Sequence, residues 1–216
     1  HCRLKRGRVK IGDRVELIVD EDRRWDIARN HSATHLLQAA LRKIVGSHIQ
    51  QKGSLVEPDR LRFDFTHFAP LTEDEITQVE QMVNKAVRTN DAIGTQNLSY
   101  TEAVKTGAMA LFGEKYSEVV RLVMMGDFSK ELCAGTHCRR TGDIGFFKIV
   151  SEASVASGVR RIEAVTGRAA VGLTQSREKI LRESTELLKA SPGEVPDRIQ
   201  KLIDENKKVR QELRQA

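Results

Sequence analysis

Residues 30–45, NHSATHLLQAALRKIV, are the stretch whose reading decides this chain. Ala33, Leu36, Leu37, Ala40, Leu41 and Ile44 recur at the i, i+3, i+4, i+7, i+8, i+11 spacing of one apolar helix stripe. At about 100° per residue, His31 and His35 return to nearly the same face, one turn apart. The stripe centres roughly 200° round from His31, so both imidazoles point away from it. One such histidine would be an ordinary polar-face residue. A second pair, far along the chain, changes the weighing. In ELCAGTHCRR, Cys133 and His137 flank Gly135, and a tight turn can hold a thiolate and an imidazole side by side. Taken singly, Cys133 could be a small buried hydrophobe and His137 a cap. With His31 and His35 they form a three-nitrogen, one-sulfur set that suits tetrahedral Zn²⁺.

Composition bounds the rest. The chain has 216 residues, 39% hydrophobic and 31% charged, enough for one substantial core with an appendage. No apolar run approaches the ~18 residues of a membrane span. Cys2, Cys133 and Cys138 are too few for a disulfide framework, so a reducing, cytoplasmic setting is expected. The net charge of +6 is compatible with a polyanionic partner. Arg3, Lys5, Arg6, Arg8 and Lys10 open the chain as a solvated face or a phosphate contact. The chain begins at His1, and a piece of a longer or processed protein is expected.

Moving outward, VKIGDRVELIV (9–19) reads as strand–turn–strand, the end of a small barrel. Asp22 is the expected N-cap of the long helix and Gly46 its C′ residue. Residues 48–56 and 60–67 flank the turn Glu57-Pro58-Asp59, and Leu61, Phe63 and Phe65 alternate with polar neighbours, which predicts a hairpin. Thr72 and Glu75 form a capping box before a helix to about Thr89. Strands are expected at 92–98, 119–124, 144–150 and 159–165, a short helix at 101–106, and an irregular loop over 127–141. Two helices follow, broken at Ser191-Pro192-Gly193. In the second, Ile199, Leu202, Asn206, Val209 and Leu213 have coiled-coil spacing, although an ordinary amphipathic helix fits equally. The expected class is α+β, with an antiparallel sheet packed around a long helix and C-terminal helices beyond.

The runs HSATHLLQAALR, QKGSLV, LRFDF, GAMALFGEKY, MGDFSKELCAGTH, TGDIGFFKI and GVRRIEAVTG together resemble the editing domain of the alanyl-tRNA synthetases, over about residues 10–168. Stand-alone alanyl-tRNA editing proteins and the editing domain of threonyl-tRNA synthetases are similar in fold and metal pattern. The resemblance implies an aminoacyl-tRNA ester hydrolase that removes serine or glycine wrongly attached to tRNA(Ala). It implies Zn²⁺ held by His31, His35, Cys133 and His137. It implies catalytic roles for Gln51, Thr34 and Cys133, substrate contacts from Thr34, Gln51, Ser54 and Gly135, and a tRNA contact at Arg160. It divides the chain into the end of a preceding β-barrel (1–20), the editing domain (21–168) and a helical linker or coiled-coil-like extension (169–216). The partners it implies are mischarged tRNA(Ala), the other domains of a parent synthetase and a second copy through the C-terminal helices.

Residue chemistry supports that reading and leaves alternatives. An aminoacyl ester is labile, so hydrolysis needs a placed water, a polarised carbonyl and a held substrate. Alanine is serine without a hydroxyl, and a second site that spares alanine needs a polar group left unpaired when the hydroxyl is missing. Thr34 and Gln51 are the candidates, although Thr34 could bond its own helix backbone and Gln51 and Ser54 could face solvent. Four protein ligands close a tetrahedral site, whereas catalytic zinc usually keeps a position open. A zinc-stabilised tRNA-binding module without hydrolysis and a stand-alone trans-editing protein are therefore the alternatives. A metallopeptidase is disfavoured, because Ser32 stands where an HExxH helix has its Glu.

Overall fold

The computed structural model describes residues 4–109 and 117–215. Cys2, Arg3 and the part of GAMALFGEKY from 110 to 116 lie outside the described residues. In chain order the elements are α1 (Glu21–Ile44), β1 (Gln51–Val56), β2 (Leu61–Thr66), α2 (Glu73–Thr89), β3 (Ile93–Ser99), α3 (Tyr100–Lys105), β4 (Val119–Met125), β5 (Ser129–Leu132), β6 (Phe147–Ala156), β7 (Val159–Thr166), α4 (Gly167–Leu188) and α5 (Val195–Gln215). Short 3₁₀ turns occupy Thr141–Ile144 and Pro192–Glu194.

The long helix begins two residues earlier than its sequence suggests. Asp20, not Asp22, is the N-cap, its side chain accepting from the Arg23 amide at 2.9 Å. Asp22 sits with Glu21 in the first turn, and Arg42 and Lys43 in the last, each complementing the helix dipole. The Val45 and Gly46 amides both reach the Leu41 carbonyl, and Gly46 takes the φ of +144° that closes the helix. Every residue from Ser32 to Leu41 is buried. The apolar stripe does face the core, but the opposite, polar face is enclosed as well. That enclosure puts the histidine face inside the protein.

Two antiparallel sheets enclose it, where the sequence suggested one. The larger has the order β1-β2-β7-β6, the smaller β3-β4-β5. Phe63, Phe65, Phe147, Ile162, Leu36, Leu37 and Leu41 are fully buried in one core between the larger sheet, α1 and α2. A lesser core joins Ala103 of α3 to Val120, Leu122 and Leu132 of the smaller sheet. The predicted capping box of Thr72 and Glu75 starts α2. Side chains of α2 then cover the edge strand β6: Asn84 bonds both the N–H and the C=O of Phe147, and Glu80 accepts from the Ile149 amide and Lys148.

The segment before α1 does not form the expected strand pair. A turn at 10–13 is present, the Lys10 amide bonding Asp13 Oδ2 at 2.9 Å. The flanking residues have no ladder partner among the described residues, and Ile11, Leu17 and Ile18 are exposed. A strand needs a neighbour for its backbone groups, and its sequence pattern cannot supply one. The C-terminal break falls at Ser191–Gly193 as expected, but α5 buries no residue, and Val209 and Leu213 of the seam face outward. No helix among the described residues is long and apolar enough to cross a membrane.

Candidate metal centre

His31 and His35 project from α1 toward the loop after β5, which carries Cys133 and His137. One donor atom from each of the four lies within 4.8 Å of every other. Cys133 Sγ stands 3.4 Å from His31 Nε2. The rings of His31 and His137 are 4.3 Å apart between centroids, and those of His35 and His137 4.9 Å. All four predicted ligands are therefore brought together, across about a hundred residues of chain.

The surroundings decide which nitrogens face inward. His35 Nδ1 meets Glu131 Oε2 at 2.5 Å, and Ser129 Oγ donates to the other carboxylate oxygen at 3.1 Å. His137 Nδ1 is 3.4 Å from Ser32 Oγ, which also accepts from the Cys138 amide at 3.0 Å. With both Nδ1 atoms engaged, the Nε2 atoms of His35 and His137 point into the cluster. Both are buried and have no hydrogen-bond partner among the described residues. Buried polar atoms left unpaired are costly, and an ion among these donors would satisfy both. The donor set fits a metal on that ground.

The charges around the cluster set its protonation states. Burial acts to lower the pKa of His35, but Glu131 and Cys133 beside it together outweigh burial and raise it to about 10, so a metal on its Nε2 would displace a proton. Burial alone would push the Cys133 thiol up, yet the His137, His31 and His35 imidazoles around it bring it down to about 3. Burial takes His137 the other way, down to about 4. Cys133 is thus a thiolate, the form that binds metals.

The loop is fixed by what presses on it. Arg121 of β4 donates to the carbonyls of Cys133 at 3.1 Å and Gly135 at 2.6 Å. The Gly135 amide lies 3.4 Å from Cys133 Sγ. A Cβ at Gly135 would lie 2.0 Å from Cε1 of the His31 ring, so only glycine fits there. On the helix side, Asn30 holds α1 in place: its amide donates to the Glu57 and Pro58 carbonyls, and its oxygen accepts from Thr166 at 2.7 Å.

Beside the four ligands is a small, mostly enclosed cavity of about 80 Å³, lined by Thr34, Gln38, Gln51, Ser54, Met109 and Leu132 together with His31, His35, Glu131 and Cys133. Gln51 and Ser54 are three apart and would face opposite sides of a regular strand. A bulge between Gln51 and Gly53 removes that difference. Gln51 pairs with Phe65 and Ser54 with Phe63, so both share the face that borders the cavity, Gln51 half-buried and Ser54 exposed at its rim. Thr34 lines the cavity, but its hydroxyl proton goes to the Asn30 carbonyl at 2.9 Å, as its helical position allowed.

Two predicted residues lie elsewhere. Gly135 packs on His31 and is not among the cavity-lining residues. Arg160 of β7 is separated from Gln51 by Phe65, its partner on β2. It is 9% exposed and held by Glu152 in a two-bond ion pair at 2.5 and 2.6 Å. Four lining residues, Gln38, Met109, Glu131 and Leu132, were absent from the sequence reading. Gln38 could have been found, being seven residues after His31 on the same helix face. Glu131 and Met109 carry no sequence signal that separates them from ordinary strand and loop residues.

Residues 120–163 match the family described as the threonyl and alanyl tRNA synthetase second additional domain. The match covers most of β4, all of β5 and β6, the loop with Cys133 and His137, and most of β7. It lies within a longer similarity. The chain is 54% identical over 210 residues to the alanine–tRNA ligase of Nitrosomonas eutropha, covering 97% of this chain and 24% of that protein. Against the alanine–tRNA ligase of Idiomarina loihiensis it is 54% identical over 202 residues, 94% of this chain and 23% of the relative. Against that of Xanthomonas campestris it is 52% identical over 211 residues, 98% and 24%. The chain spans about a quarter of the length of these relatives, and the similarity includes the C-terminal helices with the second additional domain.

Proposed function

We propose that this chain is the editing part of an alanine–tRNA ligase, and that it hydrolyses the ester joining serine or glycine to tRNA(Ala). The observation that carries the reading is one of position. Three of the four candidate ligands, His31, His35 and Cys133, line a cavity the size of a small amino acid's side chain, together with amide and hydroxyl groups.

His31, His35, Cys133 and His137 would hold Zn²⁺, which suits this donor set. Bound there, the ion supplies Lewis-acid polarisation of an ester carbonyl. The chain's own groups do the rest. Gln51 and Ser54, turned to one face by the bulge, hydrogen-bond the aminoacyl group. Thr34 Oγ1 has given its proton to the backbone, so it accepts from the substrate ammonium. The narrow cavity excludes bulk water and larger side chains. One water is consumed: its oxygen joins the amino-acid carbonyl, and a proton passes to the departing 3′-oxygen of the tRNA. Arg160 contributes to tRNA contact only if a phosphate replaces Glu152 as its partner.

In this reading residues 21–168 are the editing unit, 169–216 a helical linker, and 1–20 the end of a preceding domain. The remaining domains of the ligase, and a second copy through α5, are the further partners, in the cytoplasm where tRNA is charged. The similarity over nearly the whole chain, C-terminal helices included, favours a ligase segment over a stand-alone trans-editing protein. A tRNA-binding module with structural zinc is the second reading, favoured by the closed set of four ligands.

The test is deacylation of Ser-tRNA(Ala) by the zinc-supplied chain, with Cys133→Ala and Gln51→His alongside. Hydrolysis that both variants abolish supports the proposal. Tight tRNA binding without hydrolysis supports the module instead. Hydrolysis unchanged in both variants removes the site assignment.

A further inference from the structure

One buried group in the cavity has no use in the scheme above. Gln38 is 3% exposed, and it sits one helical turn past Thr34, beyond the two helix histidines. Its Nε2 donates to Met109 Sδ at 3.0 Å, which fixes the amide orientation. Its Oε1 is buried and accepts from none of the described residues. A glutamine oxygen has two lone pairs, and burying them unpaired is costly. Around it Glu131 is bonded to His35 and Ser129, Ser32 to Cys138 and His137, and Thr34 to Asn30. Gln38 thus brings a buried, unbonded acceptor to the residues that line the cavity.

We infer that Gln38 Oε1 accepts the hydrogen bond of the substrate's side-chain hydroxyl, and so determines that a seryl rather than an alanyl group is held. This rests on the reading of the cavity as an aminoacyl site. A seryl group whose ester lies at the metal-ligand end extends its hydroxyl along α1, toward Gln38. An alanyl group in the same place leaves Oε1 dry and unpaired. The penalty therefore falls on the correctly charged product, which is the one to be spared. Met109 is part of the device, because its sulfur holds the amide N–H and so leaves the oxygen as the unbonded end.

The experiment measures binding of two non-hydrolysable probes to the zinc-loaded chain by calorimetry: 3′-seryl-amino-adenosine and 3′-alanyl-amino-adenosine. The wild-type chain is expected to prefer the seryl probe by about tenfold or more. In Gln38→Met, close in shape and without an acceptor, the preference falls toward one. The two probes move in opposite directions: seryl binding weakens, and alanyl binding strengthens because no unpaired oxygen is left. In Met109→Leu the preference falls severalfold, since the amide is free to turn. Zinc content and melting temperature of each variant report whether the fold is intact. If Gln38→Met misfolds, Met109→Leu decides. A wild-type chain without preference overturns the inference. So does a Gln38→Met or Met109→Leu variant that is folded and keeps the full preference, or one that weakens both probes equally. Ser-tRNA(Ala) hydrolysis by the wild type is run in parallel. A preference that depends on Gln38 in a chain that does not hydrolyse supports the inference and rejects the hydrolase.

Discussion

His35 and Glu131 meet at 2.5 Å in a buried site, the imidazole Nδ1–H donating to the carboxylate. They come from different elements, α1 and β5, nearly a hundred residues apart. The contact fixes the tautomer of His35 and turns Nε2 toward Cys133 and the other two imidazoles. A carboxylate behind a ligating histidine also raises its basicity as a ligand.

Glu131→Gln should therefore weaken zinc binding by about 10–100-fold. Competition with a chromophoric chelator measures it directly. An affinity unchanged by the substitution would mean that the carboxylate merely fills space.

Gly135→Ala tests the packing of the loop on His31. The added methyl group meets the ring, so the loop must retreat and take Cys133 with it. A destabilisation of about 1–3 kcal/mol is expected, with zinc content well below one ion per chain. Urea unfolding and metal analysis of the same sample report the two effects.

The start of α2 carries a pH dependence. Glu75 has its pKa lowered by the Thr72 amide first and the Thr72 hydroxyl second. A carboxylate with a lowered folded pKa contributes stability above its unfolded value, about 4.3, and that contribution is lost as pH falls through the folded one. Thr72→Ala should cost about 1 kcal/mol at pH 7, and Glu75→Gln less. The gap between wild type and Glu75→Gln should close by pH 3, measured by urea unfolding at both pH values.

Truncations at two buried and exposed apolar positions separate the core from the extension. Phe63→Ala, in the centre of the larger sheet, should cost about 3–5 kcal/mol. Leu213→Ala, outward on α5 and 78% exposed, should change the stability of the isolated chain by less than about 0.5 kcal/mol. A large loss at Leu213 that is concentration-dependent in light scattering would instead reveal a second copy on that face.

Much of this protein was legible in its residues. The stripe from Ala33 to Ile44, the alternation through Leu61, Phe63 and Phe65, and the box of Thr72 and Glu75 are local signals. Each specifies one element through the period of its own side chains. The four ligands were legible because imidazole and thiolate are few and chemically distinctive. The failures are equally local in cause. The run from Val9 to Val19 has strand-like alternation and no ladder partner among the described residues. Asp20 and Asp22 are both acceptable caps by residue type, and the backbone chose the earlier one.

The sequence by itself determined the helix that carries two histidines, the hairpin beside it, and the identity of the atoms that would meet an ion. Those follow from short-range periodicity and from the chemistry of single side chains. Only the tertiary structure decided that the polar face of α1 is enclosed, that a bulge turns Gln51 and Ser54 to one side, and that Glu131, Gln38 and Met109 border the same cavity. Such facts depend on the register between strands and on contacts between residues distant in sequence. Neither is written in the spacing of any one segment.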